Sequence, residues 1–254
     1  VLHGFAKALP QAPAGFFPAE AEGLRMLRST GTVPVPAVLA VADDVIVLEW
    51  IEPGEPSPEQ ADRLGRDLAA LHSTPAPHYG TAYPAYIGSL PLPSPPGDAR
   101  PSAPEEWPDF HIRYRLLPYL RQAADNGSMD SGDIRAVEQV CARLPELAGP
   151  PQPPAVIHGD LWSGNVHWAA SGRAHLVDPA AQGGHPEADL AMLELFGCPY
   201  LSRILAAYQE VRPVPGRAER VPLHQLHPLL VHAALFGGSY GARAGEAARR
   251  ALRA

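Results

Sequence analysis

The chain has 254 residues, a formal net charge of −7 and a hydrophobic fraction of 46%, which is ordinary for a globular protein. This length can bury a sizeable core, as one large domain or as two lobes. The negative charge argues against nucleic acid or an anionic membrane as the main partner, and we see neither a signal-peptide pattern nor an apolar run long enough to cross a bilayer. Cys141 and Cys198 are too few for a disulfide framework, so we expect a cytoplasmic protein.

The first predicted element is a strand that carries Lys7, the only lysine of the chain. Residues 1–9 are typical of the end of a hairpin, with the turn at His3 and Gly4 and the second strand over residues 5–9. Since every other strong base is arginine, Lys7 is a candidate for a position that needs a compact ammonium group rather than a planar guanidinium. The alternative is that a lysine-poor composition has left one lysine by chance.

A helix is predicted over residues 17–27. Glu20, Leu24 and Leu27 follow the spacing i, i+4, i+7, which places the Glu20 carboxylate on the buried face and leaves Glu22 pointing outwards. The alternative is that both glutamates are solvated acids, which the helix dipole favours in a first turn.

Two strands and a second helix follow. The strands cover residues 33–41 and 45–49, and Pro34 and Pro36 confine the first of them to its entry or to a sheet edge. A capping box at Ser57 then begins a helix that runs to about residue 72.

The rest of the chain is mainly loop and helix. Residues 75–104 are rich in Pro, Gly, Ser and Tyr without a sustained period, which predicts an ordered loop rather than a linker between domains. Apolar periodicity predicts helices over residues 105–122, 133–147, 188–196, 199–211 and 220–236, followed by an arginine-rich terminal helix.

The chemistry-bearing residues are concentrated in residues 156–178. A short apolar strand at residues 155–157 leads into a glycine-containing loop in which Asp160 and Asn165 are five positions apart, and a second strand at residues 174–177 ends at Asp178. This is the catalytic-loop layout of kinases, in which an Asp orients the acceptor hydroxyl, and an Asn and a second Asp hold magnesium. The alternative is that Asp and Asn here are only turn-forming residues.

Four segments, at residues 158–165, 178–180, 184–193 and 235–240, together resemble the fructosamine kinase (ketosamine-3-kinase) family. Aminoglycoside and choline kinases share His-Gly-Asp and the downstream Asn, but they do not usually carry the Trp-Ser-Gly insert or the Asp-Pro-Ala. The resemblance extends from about Phe5 to Tyr240. The segments are His-Gly-Asp-Leu-Trp-Ser-Gly-Asn (158–165), Asp-Pro-Ala (178–180), Gly-His-Pro-Glu-Ala-Asp-Leu-Ala-Met-Leu (184–193) and Leu-Phe-Gly-Gly-Ser-Tyr (235–240).

The resemblance implies an α+β, protein-kinase-like fold of two lobes. The small β-rich N-lobe would span residues 1–52, with the ATP lysine and the hinge, and the larger, mainly helical C-lobe would span residues 53–254. Such a kinase also needs two earlier strands joined by a glycine-rich loop over the phosphates. Because Val1 lies in mid-element, we expect these strands to precede it; the alternative is a truncated N-lobe that has lost the loop.

The resemblance also implies ATP and Mg2+ as cofactors and assigns residues to them. Lys7, held in place by Glu20, would steady the phosphates, and the backbone of Glu49 and Ile51 would contact the adenine. The metal would be held by Asn165 and Asp178.

Asp160 is the implied catalytic residue, which orients the acceptor hydroxyl and collects its proton. Asp189 would support the catalytic loop without taking part in the chemistry. Weaker candidates for substrate contacts are Trp162, His158, Trp107 and Arg113, and for the aromatic residues ordinary packing is the alternative.

The activity implied by the resemblance is ATP-dependent phosphorylation of the 3-hydroxyl of ketosamines, such as fructosamine or ribulosamine adducts, free or on a protein amine. Because the 3-phosphate then sheds the amine, this would be a deglycation reaction. Two alternatives remain: a small-molecule phosphotransferase of the aminoglycoside or choline type, and a pseudokinase that binds nucleotide or a partner without chemistry.

Overall fold

The computed structural model describes residues 3–254 and places a small antiparallel sheet at the N-terminal end. The central strand of this sheet is β3, with β1 and β2 on either side in the order β1-β3-β2. Helix α1 packs across β2 and β3. The strands are β1 (Gly4–Ala8), β2 (Val38–Val41), β3 (Val45–Glu49), β4 (Tyr86–Ile87), β5 (Leu90–Pro91), β6 (Ala155–Ile157), β7 (Val166–Trp168), β8 (Ala174–Leu176) and β9 (Gln182–Gly184).

Helices form most of the remaining chain. Three two-stranded antiparallel pairs, β4-β5, β6-β9 and β7-β8, lie between them, and the last two pairs carry the residues around the predicted catalytic loop. The helices are α1 (Phe16–Ser29), α2 (Pro58–Leu71), α3 (Trp107–His111), α4 (Leu117–Asp125), α5 (Ser131–Leu147), α6 (Glu187–Phe196), α7 (Leu201–Val211), α8 (Arg217–His224), α9 (Leu226–Phe236) and α10 (Tyr240–Ala251).

The apolar core has two parts. One part lies among α3, α4, α5, α9 and α10 and includes Phe110, Leu144 and Leu230. The other part contains Leu24 of α1 and Leu68 of α2 together with side chains of β3, the catalytic-loop strands and α7. Since this second part draws residues from both sides of position 52, the predicted lobe division at 52/53 stays a prediction.

The predicted helix over residues 105–122 is interrupted. A π-helical turn, Ile112–Leu116, separates α3 from α4. Pro118 lacks the N–H that would donate to the Tyr114 carbonyl, and Nη1 of Arg115 donates to that carbonyl instead, at 2.8 Å. The apolar pattern predicted the helix correctly but did not reveal the local widening caused by the proline.

Two other predicted elements differ in the structure, one because it is divided and one because it is shorter. The helix over residues 220–236 is divided into α8 and α9 at Gln225, because Pro228 cannot donate to the carbonyl of the preceding turn. The strand over residues 33–41 is reduced to β2, after the two prolines that cannot join the ladder. Of the predicted N-terminal hairpin, β1 pairs with β3, and residues 1–2 lie outside the described part of the chain.

Among the helices of residues 3–254, none combines the length and the apolar character that a membrane crossing would need.

Candidate active site

The loop after β6 is held in place by a buried carboxylate. Asp189, in the first turn of α6, accepts hydrogen bonds from the backbone amides of His158 (2.8 Å) and Gly159 (2.9 Å). Gly159 has φ +82°, and a Cβ there would lie 2.2 Å from the Ala180 carbonyl oxygen, so no larger residue fits this turn. The side chain of His158 is fully buried and bonds Val177 O at 2.9 Å, which keeps it out of the cleft.

Asp189 has a second, buried set of partners that the sequence did not reveal. It also bonds Nε2 of His72 at 3.0 Å, and Nδ1 of His72 bonds the Tyr208 hydroxyl at 3.0 Å. Burial raises the pKa of Asp189, but the hydrogen bond and charge of His72, the charge of His158 and the Gly159 amide outweigh this and leave the pKa lowered. The hydrogen bonds that run from Tyr208 of α7 through His72, just after α2, therefore help to keep Asp189 ionised beneath the loop.

Asp160 and Asn165 lie side by side in this loop. Nδ2 of Asn165 donates to the backbone oxygen of Asp160 at 2.8 Å and to its Oδ2 at 3.2 Å, while Oδ1 of Asp160 accepts no bond from residues 3–254. Burial raises the pKa of Asp160 to about 7; the Asn165 hydrogen bond opposes this rise, and the charges of Asp178 and Asp189 add to it. A carboxyl group with a pKa near neutrality and one free oxygen is suited to accept a proton.

Lys7 brings the distant parts of the site together. Its Nζ lies 2.8 and 2.9 Å from the two carboxylate oxygens of Glu20 and 2.8 Å from Oδ1 of Asp178. Burial lowers the pKa of Lys7, but the two carboxylates together outweigh burial and leave it raised. Burial also raises the pKa of Glu20, against the effect of Lys7. Glu22, by contrast, is exposed and pairs with Arg25.

Asp178 follows β8 in an unusual backbone conformation. Its φ is +53°, in the left-handed region that Asp tolerates better than most residues, and its side chain is 48% exposed. This backbone turns the carboxylate towards Lys7 at the end of the strand. Such strain at a cleft residue is common at functional sites.

Two cavities meet at Lys7 and Asp178. The first, about 290 Å³, is lined by Asp160, Trp162, Asn165 and Glu20, and by Tyr83, Tyr86 and Gly88 from the loop around β4. The second, about 300 Å³, lies on the other side against β3 and is lined by Phe5, Leu48, Glu49, Trp50, Ile51 and His167. The cleft can therefore hold two ligands whose ends meet beside Lys7 and Asp178.

Ile51 and Glu49 line the second cavity through different contacts. The Ile51 carbonyl accepts a bond from Nε2 of His167 at 3.0 Å, and its amide donates no hydrogen bond within residues 3–254. The carboxylate of Glu49 accepts a hydrogen bond from the Ala37 amide at 3.0 Å. Because it is occupied by the backbone in this way, we assign it no role in charge neutralisation.

Trp162 lines the first cavity and lies over Gly164. A Cβ on Gly164 would lie 2.3 to 2.7 Å from three atoms of the indole ring, so this glycine makes room for the ring. Trp162 stays 42% exposed although it lines the cavity. The sequence named Trp162 but did not indicate why a glycine follows it two positions later.

Like His158, two further weaker candidates do not line the cavity around Asp160. Trp107 is buried and packs against the rings of His111, His185 and His224 in the helical core. Arg113 lies on the surface, where it pairs with Asp109 four residues earlier. Trp107 therefore has the ordinary packing role that was the alternative to a substrate contact, and Arg113 lies away from the cleft.

A buried group of His185, Glu187 and His224 has metal-ligand atoms within 4.8 Å of one another. The Glu187 carboxylate is, however, bonded by Nε and Nη2 of Arg220 at 2.8 to 3.2 Å, and Nδ1 of His185 accepts the Glu187 amide. A metal-bound histidine normally donates its other ring nitrogen instead. The neighbouring guanidinium also disfavours a divalent cation, so this group is better described as an ion pair with buried histidines.

Oxygen ligands for a hard cation are present beside Asp160. Oδ1 of Asn165 accepts no hydrogen bond from residues 3–254, and Asp178 uses only Oδ1 in its contact with Lys7. An amide oxygen and a carboxylate are the ligands that Mg2+ prefers, usually together with water and substrate phosphates. The residues therefore fit a magnesium ion bound jointly with a nucleotide.

Known proteins share both the sequence and the fold. The fructosamine kinase family model matches residues 3–254. A "Probable ketoamine kinase" from Thermus thermophilus is 37% identical over 235 residues, covering 92% of this chain and 82% of the relative.

Solved structures extend this comparison. A "putative fructosamine-3-kinase" from Thermobifida fusca is 50% identical with a TM-score of 0.92, covering 100% of this chain and 86% of that one. A choline kinase from Streptococcus pneumoniae, 15% identical, has a TM-score of 0.60 and covers 100% of this chain and 87% of that one, which shows the fold alone. The predicted α+β, kinase-like fold is confirmed, and the match to a kinase family implies ATP as the phosphate donor. Because the family model spans nearly the whole sequence, the chain belongs to the fructosamine kinase family.

Proposed function

We propose that this protein transfers the γ-phosphoryl group of ATP to the 3-hydroxyl of a ketosamine, such as a fructosamine or ribulosamine adduct. The observation that carries the proposal is that two cavities meet at Lys7 and Asp178, and that Asp160, whose Oδ1 accepts no hydrogen bond within residues 3–254, lines the first of them. Family membership supports the substrate class. The 3-phosphate would then lose its amine, so the role would be deglycation.

The second cavity is the proposed nucleotide site. The adenine would lie against β3, where the unbonded amide of Ile51 offers a donor and the backbone of Glu49 is adjacent. Lys7, held by Glu20, would steady the phosphates at the junction of the cavities. Mg2+ held by Asn165 and Asp178 would supply the charge neutralisation that phosphoryl transfer needs.

The first cavity is the proposed acceptor site. Asp160 would hold the 3-hydroxyl through Oδ1 and take its proton as the sugar oxygen bonds to phosphorus and the bond to the ADP oxygen breaks. Because the transition state of such transfers is largely dissociative, alignment matters more than basicity, and the hydrogen bonds from Asn165 and the support of Asp189 provide that alignment. Trp162 would stack on the sugar.

The test is an assay of ATP consumption with magnesium and a panel of acceptors. We expect turnover with ribulosamine or fructosamine adducts and none with aminoglycosides or choline. The Asp160→Asn variant should lose activity by about 10³-fold or more while still binding ATP. Turnover only with aminoglycosides or choline would replace the proposed substrate class, and ATP binding without any turnover would indicate a pseudokinase.

We also propose that the protein is located in the cytoplasm. Both cysteines are free thiols, which is in keeping with a reducing cytoplasm.

A further inference from the structure

A third, smaller cavity lies behind the loop that follows β6, on the side of the helical core. Its volume is about 40 Å³, and it shares no lining residue with the two cavities that meet at Lys7. The Gly159 backbone forms part of its wall. Its polar lining includes Arg115 of the π-helical turn, His111 of α3 and His224 of α8, all of which are buried.

Arg115 brings a positive charge into this wall without a matching acid. Its Nε and Nη2 donate to Oε1 of Gln182, and its Nη1 donates to the carbonyls of Pro93 and Tyr114, so every acceptor is neutral. Burial lowers the pKa of Arg115 to about 10, which still leaves the group charged at neutral pH. Because a buried charge without a counter-charge is unfavourable, proteins normally pair it.

Hydrogen-bond donors without acceptors also line the cavity. A guanidinium has five N–H groups, and the four bonds of Arg115 leave one N–H of Nη2 without an acceptor among residues 3–254. Neither ring nitrogen of His224 has a hydrogen-bond partner there, and the Glu187 carboxylate stays 3.8 Å from its Nε2. Because a neutral imidazole always carries one N–H, His224 also has a free donor. The Nε2 atoms of His111 and His227 are likewise unpartnered.

The charges around the cavity favour an anion over a cation. Among residues 3–254 no carboxylate lines it; Glu187 lies outside the lining and is bonded by Nε and Nη2 of Arg220. The guanidinium of Arg115 repels a metal ion, whereas an anion beside it would supply the missing counter-charge. The same anion could accept the free N–H groups of Arg115 and His224.

The volume limits the size of this anion. One water needs roughly 10–15 Å³ of a cavity, so a cavity of about 40 Å³ holds a monatomic anion together with a water. Phosphate and sulfate, each a tetrahedron of five heavy atoms, are too large. Nδ1 of His227 donates to the Arg115 carbonyl at 2.9 Å, so the Nε2 lone pair of a neutral His227 would accept from the accompanying water.

We propose that this cavity binds a small monovalent anion, chloride in solution, through Arg115 and His224. The anion would neutralise the guanidinium that holds Gln182 of β9 in place. Gln182 in turn lies against Gly159, since a Cβ on this glycine would be 3.1 Å from its Nε2. The site therefore stabilises the folded chain behind the loop after β6, whichever acceptor the cleft takes.

The test measures Tm at pH 7.5 while chloride replaces gluconate, an anion too large for the cavity, at constant ionic strength. We expect Tm to rise with the logarithm of the chloride concentration, by about 3 °C up to about 200 mM, because a ligand that binds only the folded chain stabilises it. Bromide should act in the same way. A crystal grown in bromide should show an anomalous-scattering peak between Arg115 and His224.

Variants locate the effect of chloride. Arg115→Met removes the charge and should abolish the difference in Tm between chloride and gluconate. Arg113→Met, two positions earlier at an exposed arginine paired with Asp109, is the matched control and should keep the whole difference. If Arg115→Met does not fold, His224→Phe replaces it: this variant keeps a ring of similar size without an N–H and should reduce the difference by at least about half.

Three results would overturn the anion site. The first is the same Tm in chloride and gluconate. The second is a chloride effect that persists in full in Arg115→Met or His224→Phe, because it would then arise at the protein surface. The third is a bromide crystal in which the cavity contains only water.

Discussion

Asp160 and Asp178 are two aspartates of one cleft with different surroundings. Burial raises the pKa of Asp160 to about 7, whereas Asp178 is half exposed and contacts the ammonium group of Lys7. Such a difference separates the tasks of two carboxyl groups: one can exchange a proton near neutral pH, and the other stays available to a cation.

The first prediction concerns pH. Protonated Asp160 cannot accept the hydroxyl proton, so kcat/KM should rise with pH through an apparent pKa near 7. A metal ion beside Asn165 and Asp178 stabilises the carboxylate, so the rise should move to lower pH as magnesium increases. The measurement is kcat/KM from pH 5 to 9 at two magnesium concentrations.

The residual activity of Asp160→Asn is the control for this profile, because titration of ATP and of the amine persists in that variant. If the variant shows the same rise as the unaltered protein, the rise belongs to the substrates and the role assigned to Asp160 is wrong.

The second prediction separates two glutamates of α1. Glu20→Gln should raise KM for ATP about tenfold, because Lys7 loses the partner that orients it, while its contact with Asp178 remains. Glu22→Gln, two residues away but exposed and paired only with Arg25, is the matched control and should behave as the unaltered protein. Equal effects of the two changes would argue for a general loss of negative charge.

At the scale of elements, helices α2 and α7 pack closely against each other near the site. Gly65 of α2 faces α7 so closely that a Cβ would lie 2.2 Å from the Ile204 carbonyl oxygen and 3.0 Å from the Tyr208 amide nitrogen. This approach also places His72, just after α2, within hydrogen-bond distance of Tyr208 and Asp189. A glycine in mid-helix, unfavourable by propensity, is therefore explained by the packing beneath the catalytic loop.

The third prediction follows from this contact. Gly65→Ala should lower Tm by roughly 5 °C, because the clash with backbone atoms outweighs the gain of about 1 kcal/mol in helix propensity. Arg66→Ala, at the next residue, removes only an exposed ion pair with Glu210 and should leave Tm within about 1 °C. A higher Tm for Gly65→Ala would show that the two helices can separate without cost.

At the scale of the whole molecule, the helical core contains several histidines that are buried and neutral. Burial, with a contribution from the Arg220 and Arg217 charges, lowers the pKa of His224 to about 3, and burial beside Arg115 lowers the pKa of His227 to about 3. The pKa values of His111 and His185 are also well below the usual range, mainly through burial. Both ring nitrogens of His224 lack a hydrogen-bond partner.

The fourth prediction is that stability falls as pH drops below about 6.5. Below this pH the histidines bind protons in the unfolded chain but stay neutral in the folded protein, which favours unfolding. The free energy of unfolding therefore begins to fall at the pKa of histidine in the unfolded chain and keeps falling down to its pKa in the folded protein. Each such histidine should cost about 1.5 kcal/mol between pH 6.5 and 5. Denaturant unfolding at both pH values measures this loss.

Substitution isolates the histidine contribution from that of the carboxyl groups. His224→Leu should make the loss between pH 6.5 and 5 smaller by about 1.5 kcal/mol. His3→Gln, at an exposed histidine, should leave the loss unchanged. An identical loss in all three proteins would mean that buried histidines do not govern the acid sensitivity.

Sequence patterns determined the elements whose causes are local. The spacing of Asp160, Asn165 and Asp178 between two short strands and the buried face of the helix containing Glu20 could both be predicted, because strand and helix periods follow from backbone sterics. The proline effects at Pro118 and Pro228 were missed, since a tolerated kink and a helix end have the same sequence signal. The roles assigned to the site residues stay predictions.

Only the tertiary structure decided which distant residues meet. Lys7 and Asp178 are 171 positions apart, and no periodicity relates them. Their contact follows from the pairing of β1 with β3 and from the shared core that joins β3 and α1 to the catalytic-loop strands. The same packing placed Trp107 in the core and Arg113 on the surface. The sequence by itself determined the chemistry-bearing segments, because short-range patterns encode them, and its resemblance to a known family implied the kinase-like fold. The cleft with two cavities depended on long-range side-chain packing, which no local pattern contains.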